Sequence, residues 1–120
     1  MAEVGYFKRK EPIKNFYEIS NSISAKCEGV GVIANPVGKD AFVICIEKYF
    51  FRNSSYAALT VILENVSGGS KASVVGYGGG EGLFNISLGA NLDFADMAAE
   101  VLVTEFGFTS TNRGSRIDDI

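Results

Sequence analysis

The sequence contains no histidine and no tryptophan, and only two cysteines and two prolines. Each scarcity removes a chemistry. Without histidine there is no Ser–His or Cys–His pair, so covalent catalysis would have to rest on lysine or on an unassisted thiol. Cys27 and Cys45 are too far apart in sequence for a paired zinc motif, and no histidine completes a mixed ligand set. Both lie in apolar segments, where a free cysteine packs as a small hydrophobe. They are assigned to the core, a disulfide or a reactive thiol being the alternatives. No metal and no cofactor are expected.

Long apolar runs are absent too. Nothing approaches the roughly 20 residues that a membrane helix needs, and the charged segment from Met1 to Lys14 has no apolar stretch behind it, unlike a secretory signal. The expectation is a cytoplasmic protein with no membrane partner. Basic charge is sparse: the formal net charge is −3, against the basic footprint of a nucleic-acid binder. The one cluster, Lys8-Arg9-Lys10 with Lys14, reads as a solvated N-terminal arm before it reads as a phosphate patch. No nucleic-acid partner is expected.

What is present suits a single domain. A chain of 120 residues that is 47% hydrophobic and 21% charged has an ordinary globular composition, and buries roughly two-thirds of its unfolded surface without staples. The boundaries are placed at a flexible arm over 1–11, one α+β domain over 12–107, and a disordered polar tail over 108–120. Pro12 opens a predicted helix carrying Ile13, Phe16, Tyr17 and Ile23 at near-helical spacing. From Ser24 the apolar period becomes two, predicting a strand to about Ile33, with a turn over Asn35–Asp40. Phe42-Val43-Ile44-Cys45-Ile46 lacks polar alternation, predicting a strand covered on both faces. A strand from Tyr56 to Asn65 presents Leu59, Val61 and Leu63 on one side. Ser67-Gly68-Gly69-Ser70 predicts a hairpin turn, and Lys71–Tyr77 the next strand. Leu83–Leu88 is left as a short fifth strand or an extended connection. Phe94, Ala98, Val101 and Leu102 predict a helix over 93–106, with Gly107 at its C-terminal cap.

The predicted architecture is therefore α+β: a four- or five-stranded antiparallel meander flanked by an N-terminal and a C-terminal helix, both on one face. The second face carries apolar residues such as Ile62 that two helices do not reach. A second copy of the chain would cover them, so a homodimer is expected.

The glycine-rich segment Gly76–Gly82 is the one unusual motif. A dinucleotide fingerprint, G-x-G-x-x-G, would need glycine at Glu81, Leu83 or Asn85 in the three registers available, and all fail. The phosphate loop fails at Gly38-Lys39, which is followed by Asp40 and has Ile33 where its first glycine belongs. A nest of backbone N–H groups matching neither pattern still binds anions, so Gly78, Gly79, Gly80 and Glu81 are kept as candidate ligand-binding residues. The structural alternatives are a strand bend, close backbone approach, or a mobile flap. Lys26, Cys27, Glu47 and Lys48 form a second conceivable cluster if they share a sheet face. Asp93 and Asp96 fall in the first turn of the last predicted helix, where acids are favourable in any case.

Ile23-Ser24-Ala25, Glu47-Lys48-Tyr49, Ala58–Leu63 and Gly78-Gly79-Gly80-Glu81-Gly82-Leu83-Phe84 before a C-terminal helix together resemble a family of small bacterial proteins, mostly from Firmicutes, described as domain of unknown function 6054. The resemblance spans roughly Ile13 to Phe106. It departs where an acidic pair is usual before the last helix and Gly89-Ala90-Asn91 stands instead. It implies no activity and no catalytic residue. The sequence thus supports a non-enzymatic binding or protein-interaction module acting through its sheet surface or edge. The alternative is a small-molecule or nucleotide-phosphate binder, conceivably an enzyme, using residues 76–82.

Overall fold

The computed structural model describes residues 2–28, 31–50, 55–79 and 84–116. Eight elements follow one another: β1 (Ala2–Arg9), α1 (Phe16–Cys27), β2 (Gly31–Val37), β3 (Ala41–Phe50), β4 (Ser55–Val66), β5 (Gly69–Gly79), α2 (Phe84–Phe106) and β6 (Thr109–Arg116). The six strands form one sheet in the order β2-β3-β4-β5-β1-β6, with every neighbouring pair antiparallel. The class is α+β, but the helices do not flank the chain as expected. A strand precedes α1 and another follows α2.

One face of the sheet is built by alternation. Phe42, Ile44 and Ile46 from β3, Leu59, Val61 and Leu63 from β4, and Ala72 and Val74 from β5 are all buried. Ile19, Ile23 and Cys27 of α1 and Ala98, Val101 and Leu102 of α2 join them in one cluster. Removing a side chain of this size from water contributes about 1.5–3 kcal/mol, so this layer between sheet and helices is the main source of stability. Rings reinforce it at the start of α1. Phe16 stacks on Phe42 with centroids 5.6 Å apart, and Tyr17 meets Phe42 edge-on at 4.9 Å.

Helix α1 begins later and ends later than the sequence suggests. Asn15 caps it, its Oδ1 accepting the Tyr17 N–H at 3.0 Å, so Pro12 lies outside the helix. Ser24–Cys27, expected to open a strand, forms the last turn. The misleading signal is local: Cys27 follows Ile23 by four residues, which places both on one helical face as readily as alternation places Ala25 and Cys27 on one strand face. Glu28, left-handed at φ 51°, ends the helix with its N–H on the Ser24 carbonyl at 3.0 Å. Asn35-Pro36-Val37, expected as a turn, belongs to β2. This is an edge strand, where a residue without an N–H is tolerated.

Further corrections concern the ends of the elements. Residues 2–9 are not a flexible arm but a strand between β5 and β6, and residues 109–116 are not a disordered tail but its neighbour. The sheet of this domain therefore extends beyond the boundaries expected at 12 and 107. Residues 84–88, expected as a strand or connection, are the first turns of α2. Its end matches expectation: Gly107 at φ 73° lets the Phe108 N–H return to the Leu102 carbonyl at 3.0 Å. This is the closure by which a left-handed glycine satisfies terminal carbonyls.

Candidate functional site

The alternation that buries Ile44 and Leu63 sends their neighbours to the other side of the sheet. Register sets them in rows. Ile33, Cys45, Thr60, Val75 and Val4 lie across from one another, as do Asn35, Val43, Ile62, Ser73 and Tyr6. A third row carries Val37, Ala41, Glu64, Lys71 and Lys8. Both helices pack on the opposite side, leaving this face open. Val4, at the β1 end of its row, is buried, but the apolar side chains toward β2 and β4 are wet: Ile33 is 59% exposed, Val37 56% and Ile62 41%. The expectation that β3 is covered on both faces is thus corrected; only the face toward the helices is closed. A shallow hollow of about 440 Å³ lies over β2, β3 and β4, lined by Ile33, Cys45, Glu47 and Thr60 among others. Thr60 Oγ1 points its hydroxyl at Cys45 Sγ, 3.9 Å away.

At one end of the sheet the chain is pinned by Arg9. Its Nε donates to the Glu11 carbonyl at 3.1 Å and to Ser70 Oγ at 3.2 Å. Its Nη1 reaches the Phe106 carbonyl at 2.8 Å and its Nη2 the Pro12 carbonyl at 3.0 Å, while the guanidinium lies 5.1 Å from the centre of the Phe108 ring. The cation therefore serves the C-terminal end of α2, where its charge complements the helix dipole. Ser70, buried, donates in turn to the Glu11 carbonyl at 2.7 Å. Beside it Gly69, at φ 155°, passes so close to β1 that a Cβ would collide with the Arg9 carbonyl oxygen. Asn65 completes the pinning, accepting the Ile13 N–H at 2.6 Å and donating to the Ile13 carbonyl at 3.0 Å.

A cleft of about 640 Å³ opens at this same end, around the hairpin between β4 and β5. Lys8, Arg9, Lys10 and Lys71 line it, with Glu11 as the single acid. From the sequence alone the first three of these residues read as part of a solvated arm. A signal for their convergence was present in the Gly68-Gly69 turn, but it could not be used without knowing that β1 pairs with β5.

The two thiols have separate surroundings. Cys27, the last residue of α1, is fully buried on the side facing the sheet, and that burial raises its pKa to about 11, Lys48 and Lys26 opposing the shift. Lys48 Nζ donates to the Cys27 carbonyl at 3.4 Å on the covered side, whereas Glu47 alternates to the open face. The conceivable cluster of Lys26, Cys27, Glu47 and Lys48 is therefore divided between the two sides of the sheet. Lys26 instead pairs with Glu100 at 3.0 Å, joining α1 to α2.

Of the glycine candidates, Gly78 and Gly79 continue β5 and pair with Ala57 and Tyr56 of β4 in unbroken register. Gly80 and Glu81 lie outside the described residues. Among the described residues no cluster of three or more His, Cys, Asp or Glu is arranged to hold a metal, and no helix is long and apolar enough to cross a membrane.

Comparison with known proteins adds one relationship. No curated protein and no solved structure matches the chain. A model of a family of unknown function matches residues 15–105, so β1 and β6 lie outside the matched span. Covering α1, the β2-to-β5 meander and all but the last residue of α2, the match shows that the chain belongs to the family of unknown function DUF6054.

Proposed function

We propose that this protein is a non-enzymatic interaction module that pairs with a second copy of itself through the open face of its sheet. The observation that carries the proposal is the wet apolar stripe of Ile33, Val37, Ile62 and Val66, with the half-buried Val43, Cys45 and Val75 between. Contiguous exposed apolar surface of this kind marks an interaction site more often than isolated residues do. The face is large enough for a partner. Six strands at their usual spacing and the ten residues of β3 give roughly 24 by 33 Å, close to the ~800 Å² that each partner contributes to a standard interface. It also suits itself in charge, since its rim carries two acids, Glu47 and Glu64, and two bases, Lys8 and Lys71.

Support for a non-catalytic role comes from the thiols. Cys27 is held protonated by burial, and a protonated thiol is a poor nucleophile. The competing use of residues 76–82 as a phosphate loop gains nothing from Gly78 and Gly79, whose places are in a regular ladder.

Sedimentation equilibrium tests the proposal. The wild-type chain should show twice the 12.8 kDa monomer mass at micromolar concentration, and Ile62→Lys should be monomeric with an unchanged circular dichroism spectrum. A wild-type mass that stays monomeric at hundreds of micromolar ends it.

A further inference from the structure

We propose that the cleft around the β4–β5 hairpin is a binding site for a small phosphate-bearing anion, held by Lys8, Lys10 and Lys71 with Arg9 behind them. The inference shares Lys8 and Lys71 with the rim of the open face, but it does not require the dimer, because it rests on charge gathered within one chain rather than on the apolar stripe.

Three observations converge on it. First, four of the eleven basic residues of a chain with net charge −3 line one cleft that holds a single acid. Second, Lys8 and Lys71 stand directly opposite each other in the β1–β5 ladder, an arrangement that is unfavourable for like charges. Glu64 is the neighbour of Lys71 on the β4 side, yet no ion pair joins them; among the described residues the ion pair is Lys26–Glu100. Arg9 has no carboxylate partner either: it donates to three carbonyls, one of them that of Phe106 at the end of α2, and to one hydroxyl. Third, the hairpin backbone is accessible. Gly68, at φ 85°, has nothing within 4 Å of the position a Cβ would take, so a ligand can approach its main chain.

Size and charge select the ligand. The cleft of about 640 Å³ falls in the range of small-molecule sites, roughly 300–1,000 Å³. A long polyanion would have to run out of the cleft over a chain whose remaining surface is acidic, and would be repelled there. A compact group with two or more charges, such as a pyrophosphate, places its oxygens within reach of several ammonium groups and leaves the rest of the surface untouched.

The test is a titration of the full chain with inorganic pyrophosphate at low salt, followed by amide chemical shifts and calorimetry. Saturable binding of one anion per chain is expected, with the largest shifts at Gly68, Gly69 and Lys71, weakening as salt is added. Lys8→Glu and Lys71→Glu should each weaken it at least tenfold. Lys39→Glu, the same charge change in the turn between β2 and β3, should weaken it less than threefold. Lys8→Glu should not lower the melting temperature, because it replaces repulsion of Lys71 by attraction; this separates loss of the site from loss of the fold. Absence of saturable binding at 10 mM pyrophosphate overturns the site. So does a Lys39→Glu effect equal to that of Lys71→Glu, which would mean general screening. Tighter binding of a single-stranded oligonucleotide than of pyrophosphate overturns the choice of a small ligand.

Discussion

Leu63 and Ile62 are consecutive residues of one strand, similar in size and hydrophobicity, and they live in different solvents. Leu63 is fully buried beneath the helices, while Ile62 is 41% exposed on the far side of the sheet. The same contrast runs along β3, where buried Phe42, Ile44 and Ile46 alternate with partly exposed Val43 and Cys45. Polar residues normally occupy the wet face of a sheet covered on one side only. Here that face keeps branched apolar residues, so the hydrophobic investment exceeds what folding of a single chain uses.

Truncating each of the two neighbours should give the largest difference. Leu63→Ala should cost about 2–5 kcal/mol in denaturant unfolding, since it leaves a cavity in a packed layer. Ile62→Ala should stay within about 0.5 kcal/mol for the monomer, as exposed substitutions usually do, while weakening self-association. Equal losses at both positions would show that the open face is as closed as the other. A smaller effect is expected from Arg9→Lys. An ammonium cannot span the carbonyls of Glu11, Pro12 and Phe106 from one position, so about 2–3 kcal/mol should be lost. An unfolding midpoint equal to that of the wild type would remove Arg9 as the pin between β1 and α2.

The smallest effects are expected at the two thiols. At pH 8 a disulfide reagent should label Cys45 on the open face and spare Cys27, with Cys45 becoming slower as protein concentration rises and the face is covered. Burial raises the Cys27 pKa from its ordinary 9.0 to about 11. The folded state therefore favours the neutral thiol. Its contribution to stability is intact below pH 9 and is lost as pH climbs through about 11. Cys27→Ala should flatten that alkaline slope; an unchanged slope would place the titration elsewhere.

The two faces also differ in how legible they are. The β3–β4–β5 meander could be read because Leu59, Val61 and Leu63 alternate strictly and because Gly68 marks its turn. Strand β1 escaped because only Phe7 supplies a large apolar side chain to the covered face, with Gly5 and Arg9 beside it. Strand β6, Thr-Ser-Thr-Asn-Arg-Gly-Ser-Arg, has no apolar residue at all. Its place is fixed by backbone pairing with β1, through a ladder whose register shifts twice, and composition carries no trace of that. The start of α2 was hidden for the opposite reason, since Asn85, Gly89 and Asn91 are weak helix formers and propensity argued against it. The cationic cleft had its residues in view, but Lys71 meets Lys8 only once β1 is inserted in the sheet. The open apolar face needed no such insertion, and Ile62 already pointed to it.

That insertion has a consequence for how the molecule assembles in time. β1 is made first, yet its two neighbours are β5 and β6, from the middle and the far end of the chain. The four-stranded meander can zip through short turns, but Ala2–Arg9 has no partner until β5 exists, and β6 can dock only after β1 has. Long-range pairings of this kind slow folding, and a nascent chain carrying the first half of the sequence would hold β1 unpaired, the condition under which chains associate wrongly.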